Sequence, residues 1–277
     1  TGPMSDKFSR NFRHFLWMDK VIYMIDDIAA HKPGHFEWLW HYNGKAVKRG
    51  ADVTVTSDSA SVVIRPLYPR LLALSDFVHD YPDLYWEVKK GPTEDLKGEE
   101  EYYSFHLPGE HKRVKGLTAV ILKDSPDDKD LPMMERTEGK DWIGLKVRRN
   151  GKVTDIYINQ LADGRLMHNN SWITADGWTT DAYMFAVTYD EGTDPAKASE
   201  MFVCYGSALR RGEVSYYSSL SKLFVMQRRE GKKLDLRVEG QPRVNVKIRE
   251  EERPSSMTVN GKDFPVTYKD KSVKLKW

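Results

Sequence analysis

The residues of this chain best suited to chemistry are eight histidines, at positions 14, 31, 35, 41, 79, 106, 111 and 168, together with scattered carboxylates. Zinc binding by imidazole wants two ligands presented together, as in an HxH pair on a strand or an HxxxH pair on a helix. No run that reads as strand or helix carries either pair. His31 and His35 are four apart, but Pro33–Gly34 lies between them and presets neither ring, so no metal site is expected. Paired carboxylates across a cleft would suit a self-sufficient glycoside hydrolase. Asp26–Asp27, Glu37 and Asp181 are available, yet no spacing selects them, and Asp26–Asp27 at a strand end reads more simply as turn chemistry. The single cysteine, Cys204, sits in the apolar run MFVCYG and reads as a small buried hydrophobe.

Saccharide contact is the other chemistry these residue types allow. Aromatic faces stack on sugar C–H groups, while Arg and Lys attract carboxylate or sulfate. The candidates are Trp38, Trp40, His41, Tyr103, His106, His168, Asn169, Trp172 and Trp178, with Tyr102 alongside. In a β protein, alternating aromatics more often belong to the core. Trp38 and Trp40 share strand parity and should point to one face, with His41 on the other. His41 then either satisfies a neighbouring carbonyl at a strand end or lines the wall of a cleft. Arg148–Arg149 and Arg210–Arg211 are basic pairs at or near turns, and Asp163–Trp172 (DGRLMHNNSW) is an amide-rich loop. That loop is the first place to test for sugar.

The elements that must hold these residues are strands. FRHFLWM (Phe12–Met18) and VIYMIDDI (Val21–Ile28) flank the polar step Asp19–Lys20, and HFEWLWHY (His35–Tyr42) follows a turn at His31–Gly34. This spacing predicts an antiparallel meander. Val21–Ile25 is apolar on both parities, which predicts a layer on each face. Pro66 and Pro69 should end a pairing or mark an edge strand, and the acidic run Glu99–Glu101 should be a solvated loop. Val114–Asp124 reads as a buried strand. Ile143–Asn159 alternates about Asn150–Gly151 as a hairpin, and one helical turn is allowed at Ala196–Ala198. The tail from Ser256 reads as a meander about Asn260–Gly261. No longer run carries a helical period, so the chain is expected to be all-β. The expected division is a large antiparallel β-sandwich over residues 1–227 and a small C-terminal β-sheet module over 228–277. Net charge is +2, which disfavours a nucleic-acid partner, and no apolar stretch approaches a membrane span.

One arrangement is familiar. Arg13–His14, a strand, a turn holding Asp19, a second strand closing on Asp26–Asp27, then Phe36-x-Trp38 and His41 follow one another. Together with Asp141–Arg165, Asp176–Val187 and Tyr205–Gly212, this order resembles the β-sandwich region of heparinase II/III-like polysaccharide lyases, from about Phe12 to about Val225. The resemblance implies a super-sandwich fold and a full-length enzyme that cuts uronic-acid polysaccharide, such as a glycosaminoglycan, by β-elimination. It places the catalytic Tyr and most of its partners on a helical toroid, with a further His and a structural zinc early in the sheet. Those segments would precede Arg10, so no catalytic or metal-binding residue is carried over. Thr1–Gly2–Pro3 reads as an expression remnant, and the chain as the C-terminal part of a larger protein. The expectation is therefore a non-catalytic β-sandwich portion that supports the toroid. Its partners would be that toroid and an acidic polysaccharide, in the bacterial periplasm or outside the cell, with no cofactor of its own. The alternative is a free-standing carbohydrate-binding β module, which the gene upstream of Thr1 would distinguish.

Overall fold

The computed structural model describes residues 6–58, 60–69, 86–93, 97–163, 172–240 and 245–275. The chain forms two compact units, Thr1–Leu131 and Pro132–Trp277. Both are all-β, with a single 3-10 turn at Pro195–Lys197 among the described residues.

In the first unit, β1 (Phe8–Met18) and β2 (Val21–Gly34) make a hairpin. Asp19 at its tip takes φ 50°, the left-handed conformation that two-residue turns require. The other strands are β3 (Glu37–His41), β4 (Lys45–Arg49), β5 (Asp52–Ser57), β6 (Ala60–Tyr68), β7 (Trp86–Pro92), β8 (Glu99–His106) and β9 (His111–Lys123). One sheet has the order β1-β2-β9-β6-β5-β4 and a second has β3-β8-β7. Trp38, Trp86, Tyr103 and Phe105 from the second sheet pack with Val53, Ile64 and Val114 from the first. The expected three-strand meander is thus corrected. His31–Gly34 does not turn: β2 runs on through it with a register shift after Ala29, and β3 crosses into the other sheet. Burial on both parities of β2 does hold, since Tyr23, Ile25, Met24 and Asp26 are all buried. The prolines act as expected: the β5–β6 pairing ends at Ile64, before Pro66, and β6 itself ends at Tyr68, before Pro69. The Glu99–Glu101 run departs from expectation: it is exposed but forms strand, paired with Pro92, Gly91 and Lys90 of β7.

The second unit contains β10 (Met133–Gly139), β11 (Trp142–Arg149), β12 (Lys152–Asn159), β13 (Ile173–Ala175), β14 (Trp178–Thr180), β15 (Met184–Asp190), β16 (Glu200–Arg211) and β17 (Val214–Glu230). It continues with β18 (Lys233–Glu239), β19 (Val246–Arg249), β20 (Ser256–Val259), β21 (Lys262–Asp263), β22 (Tyr268–Lys269) and β23 (Ser272–Leu275). The β11–β12 turn at Asn150–Gly151 and the β13–β14 turn at Asp176–Gly177 form as their sequences dictate, each with positive φ at both central residues.

The second unit depends on two long strands that bend. Near its start β16 pairs with β15, and at its end with β14. β17 pairs with β19 early and with β18 late. The bend falls at Tyr205, with φ 54°, and Gly206, where an added Cβ would lie 2.6 Å from the Ala182 Cβ. Only glycine fits there. The sheet therefore doubles over into two layers. Tyr157, Phe185, Val225 and Leu236 of one pack against Trp178, Leu209, Ile248 and Val273 of the other. The boundary expected near Gln227 falls inside β17. The tail is not a separate module either: β20 adds parallel to β18, and β23 adds to β19, one in each layer.

Candidate saccharide-facing surface

In the first unit the carboxylates are committed to neighbours. Asp26 and Asp27 lie mid-strand and buried, not in a turn. Asp26 accepts from Arg13 Nε at 2.6 Å, Arg13 Nη2 at 3.1 Å and Trp38 Nε1 at 2.7 Å. Asp27 faces the opposite way, 2.7 Å from Arg10 Nε and 3.3 Å from Lys115 Nζ. Burial lowers the pKa of His14 beside them, with Lys115 pushing the same way against Asp27 and Asp26. Glu37 accepts from Lys89 Nζ at 2.9 Å, and that bond holds its pKa below the usual range. In the second unit Asp181 accepts from Ser207 N, Ser207 Oγ and Ala208 N. Every carboxylate considered for a hydrolase thus has a local structural task.

The buried tyrosines of the second unit are equally unsuited to act as bases. Burial raises the pKa of Tyr157, Tyr189 and Tyr217, keeping their protons in place. Cys204 is buried as expected, and burial alone pushes its thiol up to about 12.

Asp155 is a buried acid with one carboxylate oxygen that accepts no hydrogen bond among the described residues. Desolvation raises its pKa, although Tyr189 donates to it at 2.8 Å and Lys146 Nζ lies at 3.7 Å. The folded chain therefore holds this proton to higher pH than the unfolded chain does. Its contribution to stability falls as pH climbs from the ordinary aspartate value of 3.8 through the raised one. Asp155→Asn keeps an acceptor for Tyr189 and removes that decline. Urea midpoints at pH 4 and pH 7 should show the variant gaining on the wild type at the higher pH; an unchanged gap would refute the assignment.

No family model matches this chain, and no curated protein matches it. The reading of its surface therefore rests on geometry. Three of the aromatic candidates are core residues. Trp38, Tyr103 and Trp178 are 7%, 7% and 1% exposed, so protein covers the faces a sugar would need. Trp40 is half-buried against the same core as Trp38, which matches their shared parity. His41 points the other way, as its parity requires. It stacks on Tyr102 at 4.8 Å and sets Nδ1 3.3 Å from Glu100 Oε1, so its partner is a carboxylate and not a carbonyl. His106 is half-buried, with Nδ1 4.0 Å from Glu87. His168 and Asn169 lie outside the described residues.

Trp172 is the ring left open, at 50% exposure. Arg210 lies over it, with Cζ 5.7 Å from the ring centroid. Arg211, the next residue, points to the opposite face and covers the buried Trp178 at 5.2 Å. Strand alternation thus divides the basic pair: one guanidinium serves the core and the other the surface. Around Arg210 the same outer face carries Thr174 and Thr179, hydroxyl to hydroxyl at 3.1 Å, and Ser215 across from Arg210. Sequence reading had both arginines and both tryptophans but not these hydroxyls. Their signal was the pairing of β13, β14 and β16, which only the fold supplies. Among the described residues no trio of His, Cys, Asp or Glu is placed to hold a metal, and no helix is long and apolar enough to cross a membrane.

Proposed function

We propose that this chain is a glycan-facing β scaffold, the non-catalytic sandwich portion of a heparinase II/III-like polysaccharide lyase, supporting a helical toroid and contacting its uronic-acid polysaccharide. The observation that carries the reading is the half-exposed Trp172 under Arg210, on an outer sheet face with Thr174, Thr179 and Ser215. An indole face takes the apolar side of a pyranose, the guanidinium takes its carboxylate in a two-pronged bond, and the hydroxyls meet ring hydroxyls. Support also comes from the acids and tyrosines described above, which are held in structural bonds or kept protonated and so cannot serve as bases for β-elimination.

Calorimetric titration with alginate, heparan sulfate and heparin oligosaccharides tests this reading. Trp172→Ala is expected to weaken binding about 3–5-fold, from a stacking contribution near 1 kcal/mol. Arg210→Ala removes a charge-assisted bond and is expected to weaken it about 10-fold or more. Absorbance from unsaturated uronate should not rise when the wild-type chain is incubated with the same polymers. Product formation, or unchanged affinity in both variants, would overturn the proposal.

A further inference from the structure

On the outer face of the second unit two lysines stand directly opposite each other. Lys247 on β19 is the register partner of Lys274 on β23. Facing side chains in such a pair are about 5 Å apart at Cβ, and like charges so placed repel. Lys247 is exposed and Lys274 half-buried, and neither meets a carboxylate among the described residues. On its other side Lys247 pairs with Ser218. Both lysines, Ser218, Ser219 and Asn245 line a groove of ≈ 390 Å³ together with Leu220, Val246 and Leu275. Other lysines of the chain meet carboxylates: Lys89 meets Glu37, Lys152 meets Asp190 and Lys271 meets Glu251. The Lys247–Lys274 pair contrasts with them, because it concentrates two positive charges in a concave place supplied with hydroxyl and amide groups.

We infer that this groove binds a tetrahedral dianion, either free phosphate or sulfate or the phosphate of a phosphomonoester. Two ammonium groups neutralise two negative charges, turning the cross-strand repulsion into a shared attraction. Ser218 and Asn245 supply the additional donors that a tetrahedral oxyanion accepts. A single carboxylate leaves one ammonium uncompensated, so uronate alone is a poor occupant. The inference does not depend on the glycan proposal, since its probes are small and its residues are different.

The test is titration of the wild-type chain with inorganic phosphate, sulfate, glycerol phosphate and acetate at ionic strength held constant with sodium chloride. Binding is followed by calorimetry and by the lysine side-chain signals of Lys247 and Lys274 in NMR spectra. Phosphate and sulfate should bind, acetate at least about 10-fold more weakly, and Lys247→Ala or Lys274→Ala should each weaken phosphate about 10-fold. Tight glycerol phosphate binding identifies a phosphomonoester site; binding of the inorganic ions alone identifies a free-anion site. Lys274→Glu is the second arm: it places a carboxylate opposite Lys247, so thermal stability without anion should rise while the response to phosphate disappears. Equal responses to acetate and phosphate, or a phosphate response that survives the double alanine variant, would overturn the inference.

Discussion

Trp178→Ala is expected to destabilise the Pro132–Trp277 unit by about 3–5 kcal/mol, the range for deleting a large aromatic from a packed core. The ring is 1% exposed and lies between the layers, edge-on to Tyr216 at 5.0 Å and to Phe185 at 6.3 Å, with Arg211 over its face. Its aromatic neighbours Tyr216 and Phe185 sit on strands held in register, which limits how far they can close on the space. Trp172→Ala should change stability by less than about 0.5 kcal/mol, as for surface substitutions generally. Chemical denaturation of both variants, followed by near-ultraviolet circular dichroism, compares two tryptophans that composition cannot tell apart. A loss below about 1 kcal/mol for Trp178→Ala would show that the layers do not close on it.

Asp27→Ala should cost the first unit about 3–5 kcal/mol, because removing one member of a buried ion pair leaves the other charged and dry. Lys115 is the more buried of the two cations on Asp27: its side chain is 8% exposed and lies 3.3 Å from the carboxylate. Arg10 is 16% exposed and tolerates the loss better. Adding Lys115→Met to Asp27→Ala should recover most of the lost stability, since an apolar replacement of the whole pair is often neutral. Urea unfolding of wild type, single and double variants checks this. A double variant no more stable than Asp27→Ala would mean that the lysine is not the source of the cost.

The all-β character was legible because strands write their period into the sequence. Asn150–Gly151 and Asp176–Gly177 announced their hairpins through turn residues that tolerate positive φ, and Cys204 announced its burial through its apolar neighbours. Parity likewise placed Trp38 and Trp40 on one face and His41 on the other. What could not be read is pairing between distant strands. β2 lies against β9, with Val21 paired to Ile121 and Ala29 to Arg113, and no local pattern encodes that choice. For the same reason Asp26–Asp27, polar after an apolar run, looked like a turn; the arginines and lysine that neutralise them come from β1 and β9. Residue type alone also could not separate the core ring of Trp178 from the open ring of Trp172. The boundary expected near Gln227 rested on the charged stretch Arg228–Lys233 opening a separate small sheet, whereas that stretch closes the tight β17–β18 hairpin.

The folded-over hairpin of β16 and β17 has a consequence for how the second unit behaves as a material. Because the same two ribbons run through both layers, there is no seam along which one layer could peel from the other. Shortening the chain after Gln227 would strip a neighbour from each layer at once and leave Leu223 and Val225 beside raw strand edges. Such edges recruit other chains. Removing the last fifty residues would therefore open an edge in each layer of this half of the molecule at once.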